Sequence, residues 1–278
     1  MPDREHDMRT ASFFDQAEGL RQMFAHTRAR FVPVVSNPHV AFGGVMLERL
    51  CTAFAERGAK VLVVDAGERA GEAGEMAMVE LGQCIERLSA QVSFLAARGL
   101  PVRFVDAAGS TGGFLRRAAE AAPQSDVVFV HAPATDLCRM FASGSRSGTA
   151  AIGHAGDNDV PIVFADDRPA SVTHAYGSMK LLAQRAGLVV FDLMLAAAPS
   201  SPRAERIVAK LASCTDSFFG GVVREAARVD PAGDATEPPS AVLRRIAAAR
   251  FGRPQAMPPL SSSSSHRAFG AYAELANP

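Results

Sequence analysis

A doubly wound α/β domain, with a mostly parallel sheet flanked by helices, is the fold the sequence predicts, on three observations. Nearly continuous apolar runs recur along the chain, amphipathic stretches of helical spacing separate them, and a 48% hydrophobic composition over 278 residues can bury both faces of a sheet. Strands apolar on both faces belong to parallel sheets covered by helices on each side. The strand-like runs are residues 31–36, 60–65, 101–105, 126–131, 160–165 and 188–195. Helical spacing marks 46–57, 76–97 and 111–121, and a last helix over 240–250 sets Val242, Leu243 and Ile246 on one side with Arg244, Arg245 and Arg250 elsewhere.

The domain occupies residues 30–252. Before it, residues 1–29 carry an amphipathic helix over 12–26, in which Phe13, Phe14, Ala17, Leu20, Met23 and Phe24 alternate with Asp15, Glu18 and Arg21 at helical spacing. After it, residues 253–278 begin with Pro254, Pro258, Pro259 and serines 261–265, a composition too poor in apolar residues to pack, so this is read as a flexible linker and tail. A short helical stretch over 266–275 ends the chain.

Charge narrows the function classes. The 29 basic and 29 acidic residues balance, which argues against a generally basic nucleic-acid binder, and no nucleic-acid partner is expected. The balance is uneven along the chain: residues 1–60 carry +1, 61–167 carry −6 and 168–278 carry +5. An acidic middle is a poor host for a triphosphate, and a basic last third leaves a weak peripheral contact with an anionic membrane open. Cys51, Cys84, Cys138 and Cys214 form no C-x-x-C pair, and no run approaches the roughly 20 apolar residues of a membrane span. A cytoplasmic protein is expected, at most peripheral at the inner face of the membrane. His131, His154 and His174 lack ligand spacing, so no metal site is expected, and His174 is placed on a helix surface.

In an open α/β sheet, ligands bind at the carboxyl ends of the strands, so the turn after the first strand is the first place to seek chemistry. A phosphate-cradling loop needs several glycines for converging backbone N–H groups, a lysine, and a hydroxyl for the metal. The turn Ser36-Asn37-Pro38-His39-Val40-Ala41-Phe42-Gly43-Gly44 has two glycines, no lysine and no Ser or Thr following the glycines. On its own residues it is an ordinary strand-to-helix turn.

The frame around it nevertheless resembles the MinD/ParA class of P-loop ATPases. A helix ending Glu56-Arg57-Gly58-Ala59-Lys60 and the strand Val61-Leu62-Val63-Val64-Asp65 look like the family's first crossover. Asp126-Val127-Val128-Phe129-Val130-His131-Ala132-Pro133-Ala134 is similar to its second aspartate-bearing strand. Pro169-Ala170-Ser171-Val172-Thr173-His174-Ala175-Tyr176-Gly177-Ser178-Met179-Lys180-Leu181-Leu182 resembles its P-x-x-[ILV]-T-D-A-Y-x-x-[IM]-K-L-L helix, the most specific match. In the front helix, Asp15-Gln16-Ala17 followed by Leu20 and Arg21 matches the D-Q-A-x-x-L-R motif of the flagellar-number regulators, the FlhG/FleN group. In that group the segment activates a signal-recognition-type GTPase, FlhF.

Carried over residue by residue, the resemblance implies a degenerate nucleotide site. Aligned without gaps back from Asp65, the loop's first lysine falls on Pro38, its glycines on His39, Val40 and Phe42, its main lysine on Gly43 and its hydroxyl on Gly44. Asp65 keeps the first aspartate of the D-x-D pair, but the second falls on Gly67, the Mg²⁺-linked aspartate on His131 and the adenine-reading asparagine on Ala196. Single electrostatic contributors to phosphoryl transfer are worth factors of about 10² to 10³, so several losses together leave almost no catalysis. The expected protein is a pseudo-ATPase without catalytic residues or cofactor, holding ATP and Mg²⁺ only if the site works in some rearranged form. Phe42 and Val40 are expected to crowd the loop. The implied activity is flagellar regulation by protein contact: Asp15, Gln16, Ala17, Leu20 and Arg21 engage the partner GTPase, other flagellar basal-body components being further partners. Two alternatives stand beside it: an active ATP-dependent switch that dimerises, and an unrelated α/β enzyme using the glycine-rich turn 109–113. A hydrolase triad of Ser110, His131 and Asp106 has no G-x-S-x-G elbow to support it. Dimerisation is left open.

Overall fold

The computed structural model of the chain describes residues 29–141, 160–198, 200–234 and 236–251. The front segment with Asp15, Gln16, Ala17, Leu20 and Arg21, and the tail beyond residue 251, lie outside the described residues.

The strands are β1 (Arg30–Val35), β2 (Val61–Asp65), β3 (Glu86–Arg87), β4 (Val92–Ala96), β5 (Val127–Ala132), β6 (Ile162–Asp166), β7 (Val190–Ala196) and β8 (Val222–Val229). The helices are α1 (Gly43–Ala55), α2 (Gly112–Ala121), α3 (Ala134–Phe141), α4 (Pro169–Ala186), α5 (Pro202–Phe219) and α6 (Ala241–Arg250). One eight-stranded sheet has the order β3-β4-β2-β5-β1-β6-β7-β8, and every pairing is parallel except β3 against β4. This is the doubly wound α/β architecture expected.

The continuous apolar runs are explained by the two cores they feed. Phe31, Val35, Leu62, Val64, Val128 and Val130 point to one face, beneath α2 to α5. Val32, Val34, Val61, Val63, Val127 and Phe129 point to the other, beneath α1 and α6. Alternate residues of one strand thus serve opposite layers. Pro169 opens α4 with a preset φ, and Gly187 ends it at φ 70°, a left-handed turn that glycine adopts without strain.

Two expectations are corrected. Residues 76–97 are not a helix: they form two 3-10 turns, Glu75–Met78 and Leu81–Cys84, and then β3 and β4. Gly82 weakens helix in the middle of that stretch, while Val92, Phe94 and Leu95 favour the pleated surface that β4 lays against β2. Residues 101–105 are not a strand, because Pro101 starts a 3-10 turn, Pro101–Phe104, and β4 has already taken the place beside β2. Both α5 and β8 were absent from the expectation.

The helix expected over 240–250 is α6, and it packs on the sheet. Leu243, Ile246 and Ala247 are buried in the core it shares with α1, and Arg250 is buried beneath it. Its apolar face is thereby spent on the domain rather than offered to a membrane. Among the described residues, no helix is long and apolar enough to cross a membrane.

Candidate functional site

β1 lies between β5 and β6, and the chain leaves it leftward for β2 on one face while β5 leads rightward to β6 on the other. The carboxyl ends of these strands frame the crevice where open α/β sheets take ligands. The loop after β1 closes over it. Ser36 continues the ladder through its N–H to the Ala132 carbonyl, and the Val40 N–H turns back to the Asn37 carbonyl before α1 begins at Gly43.

Asn37 fills the interior of this loop. Its buried amide Nδ2 donates to the Phe164 carbonyl at 2.9 Å, the Ser171 carbonyl at 3.0 Å and the Ser171 hydroxyl at 3.1 Å, while its Oδ1 accepts from the His39 N–H at 3.1 Å. The loop is thereby fastened to β6 and to the first turn of α4. Val40 is buried in the core beside α1, whereas Phe42 is 52% exposed, so the expected crowding by Phe42 does not occur. Pro38 is half-buried at the rim. Gly43 and Gly44 start α1, and a Cβ built on either meets nothing within 4 Å, so neither glycine is needed for a close approach.

Two of the carried-over positions, Asp65 of the D-x-D pair and His131, face each other. Asp65 on β2 and His131 on β5 are register partners, and Oδ1 of the aspartate lies 2.7 Å from Nδ1 of the histidine. Burial pushes the Asp65 carboxyl up, but the hydrogen bond and charge of His131, aided by the Gly67 N–H at 3.1 Å, outweigh it and hold the carboxyl below the ordinary range. Gly67 permits this arrangement. A Cβ there would lie 3.1 Å from His131 Cε1 and 3.2 Å from Asp65 Oδ1, so a second aspartate at that position would crowd the pair.

On the other flank, Arg168 donates through Nε and Nη2 to Asp166 at 2.9 and 2.6 Å and through Nη2 to the His39 carbonyl. Asp166 also accepts the Ala41 N–H at 3.3 Å. His39 and His174 meet edge to face with centroids 5.7 Å apart. His174 does lie on α4, half-buried there rather than simply on its surface, and burial lowers its pKa, with Glu68 opposing and His39 adding.

No lysine or Ser/Thr hydroxyl stands at the start of α1, Asp65 and His131 form a carboxylate–imidazole pair at the ends of β2 and β5, and Ala196 closes β7 without an amide side chain. No cluster of three or more His, Cys, Asp or Glu among the described residues is arranged to hold a metal ion.

Several backbone donors of the turn 109–113 are engaged, although the buried Thr111 hydroxyl has no hydrogen-bond partner. Asp106 accepts the N–H groups of Ala108 and Ser110 at 2.9 Å each, the Ser110 hydroxyl oxygen accepts the Gly112 N–H at 3.0 Å, and the Thr111 N–H goes to the Arg139 carbonyl. Asp106 is engaged within this turn and His131 with Asp65, so no Ser110–His131–Asp106 triad is assembled. The cysteines are free, and burial together with Glu48 pushes the Cys51 thiol up to about 12, which leaves it inert as a nucleophile.

No protein-family model matches the sequence, and no curated protein does either. Solved structures resemble the fold. Cobyrinic acid a,c-diamide synthase from Mycobacterium smegmatis aligns with TM-score 0.51 at 14% identity, over 79% of this chain and 92% of that one. A putative plasmid partition protein from Borrelia burgdorferi B31, bound to AMPPNP, gives TM-score 0.49 at 8% identity over 80% and 98%. The MinD cell division protein of Aquifex aeolicus gives 0.47 at 12% over 80% and 95%. At such identities the likeness is one of fold alone: an eight-stranded, mostly parallel sheet with flanking helices, as in the MinD/ParA-type P-loop NTPases.

Proposed function

We propose that this chain, built on a MinD/ParA-type fold, is a pseudo-ATPase that regulates flagellar number and placement by binding proteins. The observation that carries the loss of nucleotide chemistry is the occupation of the loop 36–42 by the chain's own groups. Asn37 fastens it from within, Arg168 bridges it to Asp166, and Asp65 is paired with His131. Charge neutralisation is what phosphoryl transfer requires, and here the crevice charges neutralise one another.

The flagellar assignment is supported by the sequence motif of Asp15, Gln16, Ala17, Leu20 and Arg21. The partner is a signal-recognition-type GTPase of the FlhF kind. The apolar residues supply buried area, and Gln16 or Arg21 reaches the partner's nucleotide to complete its site in trans. The chain acts in the cytoplasm, and any membrane contact is weak and rests on the basic last third rather than on α6. An ATP-driven switch has the fold in its favour and the loop against it.

Partner GTP turnover tests the reading, with full-length wild type compared with Gln16→Ala and Arg21→Ala. Stimulation by wild type and its loss in both variants is expected; equal turnover with all three and with no added protein contradicts it. ATP hydrolysis above a buffer blank contradicts the pseudo-ATPase part. Gly43→Lys is the useful comparison, since the position has room for a side chain.

A further inference from the structure

Seven residues, 36–42, join β1 to α1, and charged side chains of the protein grip them from both flanks. From the β2 side, Glu68 accepts the Ser36 hydroxyl at 2.6 Å and Arg69 donates to the Val40 carbonyl at 3.2 Å. From the β6 side, Asp166 accepts the Ala41 N–H, and Arg168, anchored on Asp166, donates to the His39 carbonyl.

We propose that Glu68 and Arg168 act as a built-in ligand, latching the loop 36–42 between the ends of β2 and β6 in one conformation, so that the fold is held in a fixed state without a small molecule. The inference rests on the nucleotide-free reading of the same loop. Exposed ion pairs as such contribute little, but these two contacts serve buried partners. Ser36 is buried, and the Glu68 carboxylate is the acceptor its hydroxyl uses, so removing that carboxylate takes away the loop's β2-side charged contact. Asp166 is buried as well, and Arg168 is the cation bonded to it, so truncating the arginine leaves a carboxylate served by backbone N–H groups and removes the charged donor to the His39 carbonyl, while Asn37 and the Ala41 N–H still reach β6. Charge-assisted hydrogen bonds of this kind are the strong ones.

Amide hydrogen exchange by mass spectrometry on the full-length chain tests the latch. Glu68→Ala and Arg168→Ala should each speed exchange of the 36–44 peptide about tenfold or more, while peptides from β5 and β7 keep their wild-type rates. Glu68→Gln keeps an acceptor for Ser36 and should stay within about threefold of wild type. Unchanged loop exchange in both alanine variants overturns the latch, as does a matching loss of protection throughout the sheet. Mg-ATP added to wild type separates this from the parent reading. Protection of the loop by Mg-ATP contradicts the nucleotide-free site, whereas no Mg-ATP effect with unchanged variants contradicts the latch alone.

Discussion

Asp65 and His131 carry the sharpest local consequence of the site. Because the Asp65 carboxyl sits below its ordinary value in the folded chain, its contribution to stability is present above about pH 4 and is lost as the pH falls through the depressed folded value. Asp65→Asn should therefore lose about 1–3 kcal/mol at pH 7, with the gap to wild type closing in urea melts as the pH falls through that depressed value. A gap independent of pH would show that the pair contributes no linked charge. Gly67→Asp brings a Cβ to 3.1–3.2 Å from His131 and Asp65 with a like charge beyond it, and should destabilise by about 1–3 kcal/mol in the same assay. Asn37→Ala removes an amide donating to two carbonyls and a hydroxyl, so each of these buried acceptors loses a donor. A loss of about 2–3 kcal/mol is expected, with the β1–α1 loop the first region to gain hydrogen exchange.

At the scale of elements, legibility followed burial. β1, β2, β5, β6 and β7 are apolar on both faces and were readable as runs; α1, α2 and α6 were readable from spacing and α4 from its resemblance. β8 was not, because an edge strand carrying Arg224, Glu225 and Arg228 reads as polar chain. α5 offered signals that went unused: Ser201 capping Ala204, Pro202 in the first turn, and Gly220 at φ 67° after the last. In the site, the absence of a lysine from the loop and the Asp65, Gly67 and His131 positions were legible through the resemblance. Asn37, Glu68 and Arg168 were not, since what makes them matter is contact across 32 to 134 positions of sequence. α6 is fixed by a buried charge cluster in which Asp192 accepts from Arg224 at 2.7 Å and from Arg250 at 2.6 Å, the arginine also reaching the Val160 carbonyl. Breaking one partner of such a pair costs about 3–5 kcal/mol, so Arg250→Ala should lower stability by that order in urea denaturation. A loss under about 1 kcal/mol would mean that α6 is held by its apolar face alone.

For the molecule as a whole, the loop at the carboxyl ends of β1, β5 and β6 is bridged by internal hydrogen bonds, and the proposed function rests on that bridging. The acidic stretch 61–167 supplies Asp65, Glu68 and Asp166, which the protein's own groups engage: Asp65 bonds the His131 ring, Glu68 the Ser36 hydroxyl and Asp166 the Arg168 guanidinium. Melting of the full-length chain with about 1 mM Mg-ATP tests this most directly. A ligand binding the native state with Kd of about 10 μM would add about 2.7 kcal/mol, or roughly 5–10 °C in Tm for a domain of this size. The account predicts a shift under about 1 °C, within the scatter of the measurement; a rise of several degrees, saturating with Mg-ATP, would contradict it.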